Sequence, residues 1–272
     1  MKHCIEKTSC WLVAGALSLL PLSSNATLIA TEHFDYPDSN SLVSVGTGGS
    51  GWSGGWTTNG TSFEVVDGAA YTGDQDAFVN FRTLAESQST GTLYFAWTGV
   101  KERTVDLFET QVLALSGFSN NNSTEEFSLQ FRTSNATNEF FLLYGGADST
   151  TGSDSGGSYT EGTEVTFVLE IDFNPGGDDN ISAWVFTDGL PAILDTPLLT
   201  NSAPITSIDS IRIISNGKRM TGALDNIVVA TEYSDLINAV PEPSTYAALF
   251  GICTLTVVII RRRRLSGRDP VK

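Results

Sequence analysis

The sequence predicts an all-β protein, an antiparallel two-sheet sandwich, with an apolar segment at each end of the chain. Apolar residues in the middle recur at every second position, the pattern of strands with one buried face. Turn-forming pairs interrupt these runs at short intervals. Between the two ends no stretch carries a helical stripe of useful length.

The strands follow in chain order. Residues 63–66 and 77–82 open the series, and Leu93, Phe95 and Trp97 share the face of a third strand. Residues 107–115 form the next, and Phe127, Leu129 and Phe131 line another. Residues 139–144 follow. Val165, Phe167, Leu169, Ile171 and Phe173 mark the longest strand, with Thr166, Val168, Glu170 and Asp172 on its other face. Residues 181–186 pair back onto it as the clearest hairpin. Ile211 with Ile213, then Leu224 with Ile227-Val228-Val229, supply the last two. Asn59-Gly60, Asp67-Gly68, Asn174-Pro175-Gly176-Gly177, Asp188-Gly189 and Asn216-Gly217 are the turns between them. Ten to twelve short strands with this punctuation call for two packed antiparallel layers. Two stretches, 46–55 and 145–162, are rich in glycine and serine and read as loops, the second long enough to move or to be ordered by a ligand.

The ends are addresses. Residues 1–26 have the form of a secretory signal: basic Lys2 and Lys7, an apolar core from Trp11 to Leu20, the breaker Pro21, and small residues at Ser24-Asn25-Ala26. Cleavage by signal peptidase after Ala26 would begin the mature chain at Thr27. At the other end, Pro241-Glu242-Pro243 precedes an uncharged apolar run, 245–260, and then Arg261 to Arg264. As a helix the run would rise about 24 Å, short of a hydrocarbon core of about 30 Å, a gap that snorkelling arginines and local thinning can close. The arginines hold the tail, 265–272, in the cytoplasm, so the residues before Pro241 lie across the membrane. The prolines keep the lead-in extended and open to a protease.

Composition narrows the exported part, residues 27–238. The span from Thr27 to Val240 holds 28 of the chain's 31 acidic residues but 7 of its 15 basic ones, for a net charge of −21 against −16 overall. Such a domain does not bind nucleic acid by neutralising phosphates. Cys4, Cys10 and Cys253 all lie in the terminal segments, so the domain has neither disulfides nor a thiol nucleophile. His33 is its one histidine, which excludes three-histidine zinc sites and leaves no sensible catalytic triad.

Two resemblances sit on these residues. The order Pro241-Glu242-Pro243, apolar helix, arginine cluster resembles the PEP-CTERM sorting signal of bacteria that make extracellular polysaccharide, here over 239–264. It implies processing by an exosortase: export through the inner membrane, transient anchoring through 245–260, then release to the cell surface or beyond. Glu32-His33-Phe34-Asp35-Tyr36, with Gly51-Trp52-Ser53-Gly54-Gly55-Trp56, is similar to the start of concanavalin-like, LamG-type jelly rolls, and Ala223-Leu224-Asp225-Asn226-Ile227 looks like their closing strand. That likeness implies a jelly-roll fold and an affinity for glycans, without implying an activity.

Four sets of side chains are candidates for chemistry. Trp52 and Trp56, in a glycine-rich loop, are the candidates for stacking on sugar rings, with core sealing as the competing role. Glu32 and Asp225, where first and last strands would meet, are a possible structural calcium pair by analogy with related sandwich modules. Asp172 and Asp178, with Asn174, Asp179 and Asn180, crowd one turn with hard oxygen ligands that suit calcium, although Gly176 and Ala183 break the calcium-loop template. Glu170-Ile171-Asp172 resembles the catalytic strand of laminarinase-like glycosidases. The same-face position after Asp172 is Asn174, so the acid/base carboxyl that retaining hydrolysis requires is missing. The sequence therefore has no catalytic residue to offer. The expected protein is a non-enzymatic surface or matrix component that associates with exopolysaccharide. The alternatives are an extracellular carbohydrate-active enzyme, a glycoside hydrolase or lyase, and a purely adhesive component.

Overall fold

The computed structural model describes residues 28–72, 77–103, 110–119, 124–134, 137–145, 152–216 and 220–239. The signal segment 1–26 and residues 240–272, including Pro241, Glu242 and Pro243, lie outside them. Among the described residues no helix is long and apolar enough to cross a membrane.

Fourteen strands form two antiparallel sheets among the described residues. The first sheet runs β12 (Leu199–Ala203), β11 (Asp179–Phe186), β10 (Glu164–Phe173), β5 (Gly91–Arg103), β14 (Thr221–Ala230), β3 (Ala69–Thr72), β2 (Glu64–Val66), with β1 (Leu28–Glu32) also on β14. The second runs β4 (Ala77–Gln88), β13 (Ile208–Asn216), β6 (Gln111–Ser119), β7 (Thr124–Ser134), β8 (Thr137–Tyr144), β9 (Gly152–Gly156). This is the jelly-roll sandwich expected from the sequence. The stretch read as a second mobile loop is in part a strand: residues 152–156 pair with β8, with Leu142 opposite Asp154.

Alternation decides which residues meet. Trp97 on β5 stacks on Phe167 of β10 with centroids 4.3 Å apart, and Phe131 of β7 meets Phe167 edge-on at 4.9 Å. Phe140 and Tyr159 close the same cluster. These rings join the two sheets, as the inward positions Phe95, Trp97, Phe131 and Phe167 require. The Asp67-Gly68 turn joins β2 to β3 with both residues at positive φ, 49° and 78°, the type I′ geometry that matches strand twist.

β14 changes neighbours halfway. Its first half pairs with β3 and its second with β1, and between them the register slips from Asp225 to Val228. Asn226 makes the slip at φ 53°, a left-handed conformation that asparagine tolerates better than most residues. Asp225 fixes it: its Oδ1 accepts from the Asn226 backbone N–H at 2.7 Å and its Oδ2 from Asn226 Nδ2 at 3.0 Å.

At one end a buried ion pair ties the sheets together. Glu32 at the end of β1 accepts from Arg82 of β4, and both side chains are 1% exposed. The Glu32 carboxylate also accepts from the Phe34 backbone N–H (2.8 Å), the Tyr36 hydroxyl (2.8 Å) and Trp56 Nε1 (3.0 Å). Arg82 donates further to the carbonyls of Gly54 and Gly48. The loop 46–56 is thereby fastened over β1, where Ser50 and Thr31 exchange backbone hydrogen bonds of 3.0 Å. Gly51 is required there: at φ 78° a Cβ would lie 1.7 Å from the Ile29 carbonyl oxygen.

Replacing Arg82 by methionine leaves Glu32 charged and buried, so the loss of stability in urea unfolding is expected to be about 3–5 kcal/mol. Combining Arg82→Met with Glu32→Gln should cost clearly less than the sum of the two single changes.

Candidate functional site

The ion pair decides the first expectations. Trp56 is 2% exposed, stacked against Phe34 at 5.8 Å, with its indole N–H given to Glu32, so no face is left for a sugar. It seals the core. Trp52 keeps part of its surface in solvent, but its N–H binds the Thr31 carbonyl at 2.8 Å and the Arg82 guanidinium lies 4.9 Å from its ring centroid. Burial, and then the hydrogen bond to Glu32, push the Tyr36 hydroxyl up to about 12, so it stays a donor to that carboxylate.

The Glu32–Asp225 pairing does not form. Glu32 stands opposite Ile227, a core residue, and faces the other sheet. The neighbour of core-facing Leu224, Asp225, faces outward with His33, whose Nδ1 lies 3.0 Å from Asn226 Oδ1. Two carboxylates on opposite faces of one sheet cannot share an ion, and Glu32 has its acceptors filled. The bulge at Asn226 is what the likeness to a closing strand reflects. Burial, with Asp35 and Glu164 adding repulsion and His33 opposing it, raises Asp225 to about 7.

The acidic turn divides by exposure. Asp172 and Asp178 are exposed, Asp172 opposite Asn180 in register and 3.4 Å from the Thr92 hydroxyl. Asp179 is buried, and its two oxygens accept the backbone N–H groups of Asn174 (2.6 Å) and Ile205 (2.8 Å). It latches the hairpin to the segment after β12. Among the described residues no group of three or more His, Cys, Asp or Glu side chains is arranged to hold a metal ion. Glu170 lies on the outer face of the first sheet opposite Tyr94, whose hydroxyl burial and Glu170 push up to about 12.

That outer face is covered. α2 (Tyr233–Ala239) lays Leu236 and Tyr233 over Ala96, Val168, Trp184 and Val228, with Leu190 and Leu194 closing the patch. Tyr233 donates to the Pro191 carbonyl at 2.7 Å, which pins the helix to the 187–198 segment. The outer face of the second sheet is different. It carries polar residues that the sequence reading passed over: Ser116, Ser128 and Gln130 are buried on it, and Arg132 and Arg212 are partly exposed.

On β7, Ser128, Gln130 and Arg132 alternate with core residues Leu129 and Phe131 and so face outward; Arg212 sits likewise between Ile211 and Ile213 on β13. The Arg132 guanidinium lies 4.1 Å from the Phe141 ring centroid, and that of Arg212 lies 4.6 Å from Phe118. Gln130 donates to Ser128 at 2.9 Å, and Ser116 bonds Ser128 at 2.8 Å, between the two arginines. Arg212 opposes Ser116, which opposes Ser128, so the arginines stand two strands and four residues apart, about 16 Å. Each has an acidic neighbour, Glu125 at 2.5 Å from Arg212 and Glu139 at 4.0 Å from Arg132, and neither Nε has a hydrogen-bond partner. The result is a long, polar, locally charge-balanced strip with flat rings beneath guanidiniums. The legible signal was the alternation: a cation flanked by two inward apolar residues must face out.

Comparison with known proteins bears on the tail and on the fold. A family profile described as the PEP-CTERM protein-sorting motif matches residues 239–264. A search of curated proteins finds no match to the sequence. Among solved structures, an endo-β-1,4-glucuronan lyase from the fungus Trichoderma reesei is similar at 8% identity, with 74% of this chain and 88% of that one covered and a TM-score of 0.47. The Emp47p carbohydrate recognition domain matches at 9% identity, 71% and 94% coverage and TM-score 0.44. A legume lectin-like domain from Entamoeba histolytica matches at 5% identity, 61% and 84% coverage and TM-score 0.43.

Because the folded carboxyl of Asp225 titrates at about 7 and an unfolded one near 3.9, the native state holds the extra proton between those values. Its contribution is present at low pH and lost as pH rises through the folded value. Asp225→Asn should therefore gain stability relative to the parent between pH 4.5 and pH 7.5, read as a widening difference in urea midpoints.

Proposed function

We propose that the chain is an exported, exosortase-sorted surface or matrix protein whose sandwich adheres, without catalysis, to the exopolysaccharide around the cell. The sorting motif at 239–264 supplies the address. The binding half rests on one observation: on the outer face of the second sheet Arg132 and Arg212 stay partly exposed over Phe141 and Phe118, with Gln130, Ser116 and Ser128 packed between them. Two guanidiniums held about 16 Å apart by the rings beneath them can donate to the hydroxyls of an extended glycan laid between them.

The charge balance specifies the ligand further. Each arginine is matched by a carboxylate, inside a domain of net charge −21. A polyanion would be repelled by the domain's net negative charge, so the strip suits a neutral or weakly charged polymer. A carbohydrate-active enzyme has less support: Glu170 stands on the other sheet, beside Tyr94, and its same-face successors are Asp172 and Asn174.

The binding test uses the exported protein and the producing cell's own exopolysaccharide, with calcium and with chelator. Arg132→Ala combined with Arg212→Ala should weaken retention at least tenfold, whereas Ile193→Ser, at an exposed site elsewhere, should leave it unchanged. Equal binding by the arginine pair and the parent would remove this face from consideration. A calcium requirement would instead implicate the exposed carboxylates Asp172 and Asp178.

The address is tested separately. Intact mass of the protein recovered outside the cell should lack Arg261 to Arg264. A mature chain that retains them would show that the tail is an uncut anchor.

A further inference from the structure

The segment 204–207 carries the chain from β12 of the first sheet to β13 of the second. Two buried carboxylates, one from each sheet, take its consecutive backbone N–H groups. Asp179 of β11 accepts from Ile205 at 2.8 Å through Oδ2, while its Oδ1 accepts from Asn174 at 2.6 Å. Glu126 of β7, 1% exposed, takes the next N–H, that of Thr206. A bulge turns Glu126 inward: Phe118 pairs with Glu125 and Gly117 with Phe127, so Glu126 is the extra residue. Glu125 keeps to the outer face with Arg212.

The Glu126 carboxyl is incompletely used. Its Oε1 accepts from the buried Ser119 hydroxyl at 2.6 Å, and its Oε2 has no hydrogen-bond partner. Among the described residues no Lys or Arg pairs with Glu126 or Asp179. The ionisable groups that act on Glu126 from the elements around it are Asp179 and, on β13, Asp209, both acidic. A second buried negative charge beside Asp179, with one oxygen unmet, is far less stable than a neutral carboxyl. Asp179 accepts at both oxygens, so the oxygen free to carry a proton is Glu126 Oε2.

We propose that this pair is a proton-operated latch between the sheets: with a proton on Glu126 the 204–207 segment stays clamped, and loss of that proton frees it. The ionised carboxyl needs water at Oε2, and the segment carrying Thr206 shifts to admit it. A cavity of about 200 Å³, lined in part by Asp179, Pro204, Ile205 and Thr206, gives the segment room. Burial pushes the Glu126 carboxyl up; the Ser119 and Thr206 hydrogen bonds oppose the rise, and Asp179 and Asp209 add to it. The native state therefore keeps a proton that the unfolded chain releases at about 4.3. The contribution of the latch is whole below that value and is lost as pH rises through the folded one. The inference is independent of glycan binding and of sorting.

The test follows amide hydrogen exchange at Ile205 and Thr206 in the exported protein recovered from cells, from about pH 5 to about pH 8, with intrinsic exchange rates divided out. Protection at both amides should fall at least tenfold across that range in the parent and stay constant in Glu126→Gln, whose side chain is neutral throughout. The urea midpoint of Glu126→Gln should gain on that of the parent over the same interval. Asp225 is common to both proteins and cancels from the difference. The infrared difference between them at about pH 5 should contain a protonated-carboxyl stretch. Protection at Ile205 and Thr206 that does not change with pH in the parent would overturn the latch, whether or not the variant folds. So would a fall of equal size in Glu126→Gln, or an infrared difference with no protonated carboxyl.

Discussion

The fold depends on a single carboxylate. Glu32 collects donors from the backbone at Phe34, the hydroxyl of Tyr36, the indole of Trp56 and the guanidinium of Arg82. Those groups belong to the turn after β1, the glycine-rich loop and a strand of the other sheet. Burying an ion pair is costly unless nearly every lone pair and N–H is used, and here they are. The arrangement does for this cysteine-free domain what a cross-link does elsewhere: it fixes a long, polar loop to a strand at the edge of the sandwich. Phe34, held at φ 51° in the core, is tolerated because the Glu32 carboxylate receives its N–H.

Facing Glu32 inward settles what lies outward. β1 joins β14 only past the bulge at Asn226, and the bulge places Asp225 and His33 on the opposite side. The outer surface of the first sheet is then closed by α2 and the 187–198 segment, whose apolar side chains meet Val168 and Trp184. The outward residues of the second sheet are polar, small or aromatic with a cation above; Ser116, Ser128, Gln130, Phe118 and Phe141 are buried, and Arg132 and Arg212 reach solvent. The contrast between an apolar outer face under α2 and a polar one tipped by two arginines is the structural reason to look for a ligand on the second sheet.

The strands with an alternating core were legible because burial on one face imposes a period of two, and Phe127-Leu129-Phe131 or Val165 through Phe173 show it directly. β9, Gly152–Gly156, was hidden because glycine and serine carry no pattern; it is a strand through pairing with β8 alone. α2 has seven residues, too few for a stripe, and is held by Tyr233 and Leu236 against the sheet. The partnership of Glu32 with Arg82 spans 50 residues and depends on how two sheets stack, which composition and spacing do not encode. A bulge likewise defeats simple parity: counting by twos cannot reveal that Asp225 and Glu32 face apart. At the face now proposed for binding, the residues were visible as outward positions, but their convergence needed the register of β13, β6 and β7.

The distribution of positive charge ties these observations together. Of the four basic side chains described, Arg82 and Lys101 are buried, Lys101 hydrogen-bonded to Thr133 and Tyr159. Burial lowers the Lys101 amine to about 8, so even this cation is held weakly at the edge of neutrality. Arg132 and Arg212 remain at the surface, each beside a carboxylate. A domain with 28 acidic residues against 7 basic ones, two of them buried, is strongly negative as a whole. Copies of such a domain repel one another. On the proposed reading, attachment falls where repulsion is weakest. The strip around Arg132, Gln130 and Arg212 is where opposite charges cancel and where two guanidiniums reach solvent above buried rings. On that reading solubility and attachment do not compete for one surface: the net negative charge serves the first, and the site of the second is set by where Arg132 and Arg212 stand.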